Sequence, residues 1–327
     1  MSSSLLDVHL SRLEPTQLRA LRHHYQMGIT STMQSALTDS PHDPIAAQFV
    51  PDVRELEVRE EELSDPIGDE PHSPVPSLVH RYRNRGLWKI NSHCAVYCRF
   101  CFRKEQIGKK GQGVSDEMRD KALCYLREHR DIEELILSGG DPWFLSPKRL
   151  AHFVLPVGEM AHIRRVRIHT RMPVVEPSAI TEELLGLFSS LPQSIHVVIH
   201  INHAQELTPP AISALAKMRQ SGMMLYSQSV LLRGVNDRVE VLADLMNRLL
   251  DVGVMPYYLH HLDLAKGTSH FRLTLAEGKA LYQALQQRLS GIALPRYMVE
   301  IPGGGGKVPV MSLSDEELSH LQQLGLN

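Results

Sequence analysis

The chain has 327 residues, 43% hydrophobic and 22% charged, with a formal net charge of -2 at pH 7. That length can bury a sizeable core, as one large α/β domain or two smaller ones, and the balanced charge argues against a broad nucleic-acid-binding face. No apolar run approaches the roughly 20 residues of a membrane span, the start Met1-Ser-Ser-Ser-Leu-Leu-Asp7 lacks the pattern of a signal peptide, and three of only four cysteines lie within eight residues, unlike a secreted disulfide framework. A globular protein of a reducing cytoplasm, without membrane or nucleic-acid partners, is expected.

Residues 1–85 read as an N-terminal helical and loop region. Thr16–Met27 has helical spacing through Leu18, Leu21 and Tyr25, prolines break residues 40–51, and residues 55–70 are acidic. This region suits packing or recognition. Arg81, Arg83 and Arg85 precede the first expected strand; they suit a phosphate or a solvated basic face.

From about residue 86 to the end, short β-rich runs alternate with helix-like segments. The runs are Leu87–Ile90, Glu134–Leu137, Val166–His169, Ile195–Ile201, Met223–Gln228, Pro256–His260 and Tyr297–Ile301. Asp237-Arg-Val-Glu240 and Thr274-Leu-Ala-Glu277 have capping-box form, and Thr208-Pro-Pro places proline just inside a helix start. The alternation predicts βα units on a parallel sheet. About six units fit a partial (β/α)6 barrel following an N-terminal helical region.

The unusual residues fall just after the strands, where a parallel barrel has its active face. Cys94, Cys98 and Cys101 follow the first strand in Asn91-Ser-His-Cys-Ala-Val-Tyr-Cys-Arg-Phe-Cys-Phe-Arg103. Three thiolates hold an iron–sulfur cube and leave one iron open. A zinc site using His93 is the alternative, but zinc sites usually pair two knuckles, and no second knuckle is present. Cys124, in a helix-like segment, reads as a packed core thiol.

Ser138-Gly-Gly-Asp-Pro142 follows the second strand. Its Gly139-Gly140 pair is either a turn or a place where backbone approaches a ligand closely. Arg171 follows the third strand, His203 the fourth and Asp263 the sixth. After the last strand comes Gly303-Gly-Gly-Gly-Lys307. It fails the P-loop pattern at the first glycine and at the residue after the lysine. A lysine on a glycine loop suits a Schiff base with pyridoxal phosphate. Arg103, near the cysteines, suits a carboxylate. Asp263 and Glu300 suit an ammonium group.

The cysteine spacing is that of radical S-adenosylmethionine enzymes. With His80–Arg85, Leu137–Pro142, His169–Pro173, Gln228–Asp237, Tyr257–Arg272 and Pro302–Lys307, the chain from about Pro74 to Met311 resembles the lysine 2,3-aminomutase family. The resemblance implies a radical S-adenosylmethionine barrel with Cys94, Cys98 and Cys101 on a [4Fe–4S] cluster. It implies S-adenosylmethionine on the open iron and near Gly139, Gly140 and Asp141, cleaved to a 5′-deoxyadenosyl radical. It also implies pyridoxal 5′-phosphate on Lys307, with its phosphate at Arg81 and Arg85. L-Lysine would be held by Arg103 at its carboxylate and by Asp263 and Glu300 at its ε-ammonium, and an electron donor such as flavodoxin or ferredoxin would serve the cluster.

Two departures stand out. The family's free-lysine enzymes have aspartate where Glu300 stands. They also continue into a cysteine-bearing, zinc-binding extension, whereas this sequence stops 20 residues after Lys307. The short form resembles the branch that makes (R)-β-lysine for elongation factor P, to which a partner ligase attaches it. Free-lysine metabolism, or an aminomutase for another amino acid, is the alternative expectation.

Overall fold

The computed structural model describes residues 4–109, 113–303 and 305–326. Among these residues nine strands form one sheet in chain order: β1 (Leu78–Tyr82), β2 (Arg85–Asn91), β3 (Glu134–Gly139), β4 (Arg165–Thr170), β5 (Ser194–His200), β6 (Met224–Val230), β7 (Met255–His260), β8 (Arg296–Ile301) and β9 (Gly306–Pro309). β2 to β8 are parallel neighbours, and β1 and β9 add antiparallel at the two ends. The seven expected strands are all present. β1 and β9 lay unseen inside the basic and glycine-rich segments.

Crossovers return each parallel strand to the same end of the sheet. Their principal helices are Asp116–Glu128, Pro147–Gly158, Glu182–Ser189, Pro209–Gln220, Val239–Asp251 and Leu275–Gln286. These make six βα units closed by β8, as the alternation predicted. Side chains of Ser115, Ser146, Thr181, Thr208 and Thr274 accept from backbone N–H groups in the first turns of their helices, which satisfies donors that a helix start leaves free. The capping box expected at Asp237 does not form. That helix begins one residue later, after Arg238, with no side-chain cap. Cys124 is also not a core thiol. It is exposed on Asp116–Glu128 and donates to Glu128 at 3.4 Å, because the buried stripe of this helix runs through Ala122, Leu123 and Leu126.

Alternation along the strands separates two environments. On β4, Val166 and Ile168 are buried in the main core, whereas Arg165, Arg167 and His169 on the other face are half-buried. That second face is polar. Arg167 reaches Glu134 of β3 at 2.6 Å, and His196 stacks on Tyr226 with ring centroids 5.8 Å apart.

The N-terminal segment packs on the active end of the sheet. Leu63 N–H bonds the carbonyl of Leu264 at 2.7 Å, and Gln48 and Glu206 bond across at 3.2 Å. No helix among the described residues is long and apolar enough to cross a membrane.

Candidate active site

The loop after β2 carries Cys94, Cys98 and Cys101, all reduced and half-buried. N-terminal residues clamp it. Arg99, inside the cysteine run, donates to Glu55 through Nε at 2.9 Å and Nη2 at 2.5 Å, and Lys104 Nζ reaches the same carboxylate at 2.9 Å. The backbone N–H of Tyr97 bonds the carbonyl of Gly28, and that of Arg99 bonds the carbonyl of Gln48.

Cys94 and Cys101 keep some exposed surface as residues, but their sulfurs are poorly solvated. Desolvation, then Asp141 and the other two cysteines, pushes the Cys94 thiol well up; desolvation, then Cys98, pushes Cys101 to about 11. Left alone these thiols stay neutral, whereas coordination to a metal removes the proton outright. Three soft sulfur donors suit iron–sulfur chemistry. Among the described residues no three His, Cys, Asp or Glu side chains converge tightly enough for a single metal ion. A cube needs a wider triangle, because each cysteine binds a different iron.

The Gly139-Gly140-Asp141 segment at the end of β3 lies directly against this loop. Gly139 has φ +121°, and a Cβ there would stand 2.2 Å from the Asn91 carbonyl oxygen; at Gly140 it would stand 2.4 Å from that of His93. The glycines therefore let two strand ends touch. Gly140 N–H bonds Asn91 O at 2.6 Å and Asp141 N–H bonds His93 O at 2.9 Å. The Asp141 carboxylate is buried and saturated: Oδ1 accepts from Thr170 Oγ1 at 2.7 Å and Trp143 N–H at 3.0 Å, and Oδ2 accepts from Arg171 N–H at 2.6 Å. Its side chain thus braces the active end.

Glu300 on β8 and Lys307 on β9 are cross-strand partners. Gly303 takes φ +76° in the turn between them, and Gly304 lies outside the described residues. The exposed Lys307 brings Nζ to 3.2 Å from Glu300 Oε2, an ion-pair contact that lacks hydrogen-bond angles, so Oε2 stays buried without a donor. Arg81 of β1 donates to Glu300 Oε1 and to the carbonyls of Ile67 and Gly68. Lys307 N–H donates to Tyr82 Oη at 3.2 Å, and Arg85 stacks 3.7 Å over the Tyr82 ring. Arg81 and Tyr82 thus meet the Lys307 hairpin, with Arg85 stacked behind Tyr82. Arg85 has no acidic partner among the described residues. Arg83 does not join them; it is exposed and pairs with Asp131.

Asp263, after β7, completes the acidic pair. Burial and then the Glu300 charge raise its pKa to about 7, with Lys307 and Arg103 pulling the other way. Arg103 Nη2 donates to Asp69 Oδ2 at 2.7 Å, and Lys89 Nζ lies 3.6 Å from the same oxygen. Two cations thus share one carboxylate from the N-terminal segment.

Asp69, Tyr82, His169 and His260 also join the site, and no local pattern in the sequence assigns them to it. Both histidines sit at strand ends and are held neutral by desolvation, with the Lys307 charge acting the same way; Arg103 also acts on His169. His169 Nε2 is buried without a partner. Both histidines lie inside the motif segments His169–Pro173 and Tyr257–Arg272, which give neither of them a role of its own.

An α/β barrel with three cysteines at the end of its first parallel strand and a glycine pair at the end of the next defines a radical S-adenosylmethionine enzyme. The family described as a 4Fe-4S single cluster domain matches residues 85–213. The L-lysine 2,3-aminomutase of Escherichia coli is 40% identical over 271 residues, 83% of this chain and 79% of that protein. That of Methanococcus maripaludis is 37% identical over 310 residues, 94% and 71%. A solved radical SAM methyltransferase from Sphaerobacter thermophilus aligns over 68% of each chain at 20% identity, with a TM-score of 0.48. The chain belongs to the L-lysine 2,3-aminomutase family, whose members are isomerases.

Proposed function

We propose that this isomerase is pyridoxal-phosphate-dependent and converts L-α-lysine to (R)-β-lysine in the cytoplasm, for attachment to elongation factor P by a partner ligase. The observation that carries the reading is the Lys307–Glu300 pair, set beside Asp263, on which the Arg103 charge also acts. When bound, the cluster with S-adenosylmethionine supplies the radical that takes hydrogen from the lysine β-carbon, and pyridoxal phosphate supplies the carbonyl that carries the migrating nitrogen.

The chain's own residues do the rest. Lys307 offers its amine to the cofactor carbonyl. Arg85 and Arg81 take the phosphate, for which Arg81 must leave Glu300. That exchange frees Glu300, with Asp263, to grip the ε-ammonium. Arg103 exchanges Asp69 for the substrate carboxylate. The Gly139–Asp141 backbone borders the S-adenosylmethionine site, and the N-terminal segment helps exclude water, which a radical intermediate requires. An electron donor of the flavodoxin or ferredoxin type reduces the cluster.

The test is a product assay. Anaerobically reconstituted protein is offered free lysine and, in parallel, unmodified and lysylated elongation factor P, with mass-spectrometric detection. Free (R)-β-lysine that the ligase then transfers is the expected result. No β-lysine from any substrate, with cluster and pyridoxal phosphate both bound, sinks the proposal. Product made only on the protein-attached lysine overturns the free-lysine step.

A further inference from the structure

Arg171 stands at the end of β4 and takes no part in the chemistry described so far. Its Nη1 donates to Cys98 Sγ at 2.9 Å. Its Nη2 donates to Gln48 Oε1 at 2.5 Å and Glu206 Oε2 at 2.7 Å, on the side away from the sulfur. Its backbone N–H is fixed by Asp141. The side chain is 5% exposed and that of Glu206 is fully buried. Phe49 and Phe100 lie 4.5 and 5.7 Å from the guanidinium carbon. A permanent cation is thus locked against one of the three cysteine sulfurs and shielded from water.

We infer that Arg171 is a positioning residue for the iron–sulfur centre, and that its hydrogen bond to the Cys98 sulfur raises the reduction potential of the cluster. The inference rests on the reading of Cys94, Cys98 and Cys101 as cluster ligands. In a loaded site the acceptor is a thiolate, so the bond is charge-assisted and stronger than to a thiol. Hydrogen bonds to ligand sulfurs and nearby positive charge favour the reduced cluster, which carries one more negative charge. Glu206 neutralises part of this effect from farther away. The sign of the shift therefore depends on which partner is removed.

The experiment compares wild type, Arg171→Gln, Glu206→Gln and the double variant Arg171→Gln/Glu206→Gln. Each is reconstituted anaerobically, analysed for iron and sulfide, and titrated with reductant while the reduced cluster is followed by electron paramagnetic resonance. Arg171→Gln is expected to load iron fully and to reduce about tenfold less readily, a shift of about 59 mV to more negative potential for one electron. Glu206→Gln, which leaves Arg171 uncompensated, shifts the other way. The double variant carries no uncompensated buried charge, so it reports on the lost N–H···S bond even where Arg171→Gln fails to fold; it too is more negative than wild type. Unchanged potentials in loaded variants overturn the inference, as does loss of the cluster from both Arg171 variants, which assigns Arg171 to assembly alone. Wild-type protein that takes up no iron or sulfide overturns the cluster reading itself, and this inference with it.

Discussion

Glu300 and Lys307 face each other across the β8–β9 hairpin, with Lys307 Nζ 3.2 Å from Glu300 Oε2 and Arg81 on the other carboxylate oxygen. One buried acid therefore serves two cations. Each is assigned above to a different part of the cofactor: the amine to its carbonyl and the guanidinium to its phosphate. On the proposed reading, a phosphate dianion would draw Arg81 from the acid, so that cofactor loading would prepare the ammonium site.

Lys307→Ala removes the amine without disturbing the β8–β9 pairing, which is made by backbone. The expected outcome is loss of the visible absorption of bound pyridoxal phosphate and of all β-lysine formation, with iron and sulfide content unchanged. A band of undiminished intensity in the variant refutes the assignment.

Asp263 sets a pH dependence. Its pKa in the folded chain is raised to about 7, and an ammonium binds the ionised carboxylate. In free enzyme kcat/KM for lysine therefore rises with pH through about 7 as the carboxylate ionises, since this ratio reports the free-enzyme groups. Asp263→Asn is expected to raise KM and flatten that limb. A variant profile that still bends at the same pH assigns the limb to another group.

Arg103 is held by Asp69, which a substrate carboxylate replaces on the proposed reading. A hydrogen bond to a charged group contributes about 1.5–3 kcal/mol, so Arg103→Gln is expected to raise the lysine KM by roughly 10- to 150-fold. Asp69→Asn, which removes the internal competitor, moves KM the other way. Steady-state kinetics on both variants check this pair, and a KM that rises equally in both shows that Asp69 supports Arg103 rather than competing for it.

Glu55 has no exposed surface and pairs with both Arg99 and Lys104 around the cysteine loop. Removing one partner of a buried ion pair costs about 3–5 kcal/mol, because the other charge stays behind. Glu55→Ala should lower the apparent melting temperature by several degrees and reduce iron uptake, read by anaerobic calorimetry and metal analysis. An unchanged melting temperature would show that water reaches these cations.

The strands and helices were legible because their signals lie in consecutive residues: β-rich runs, Ser or Thr caps, proline after Thr208. β1 was missed because His80-Arg-Tyr reads as a basic patch, and β9 because it has only four residues. The capping box at Asp237 was a correct pattern without the matching backbone. Cys124 was misplaced because helix phase, not residue type, decides which face is buried.

By itself the sequence determined the cysteine spacing, the βα rhythm and the lysine behind its glycine run, since each is a local pattern bound to local backbone geometry. Only the tertiary structure decided who neutralises whom. Arg103 meets Asp69 across 34 positions, Arg171 meets Cys98 across 73, and Arg81 meets Glu300 across 219. Charges pair through space, and the parallel sheet, by returning every strand to one end, makes residues far apart in the chain the nearest partners at the site.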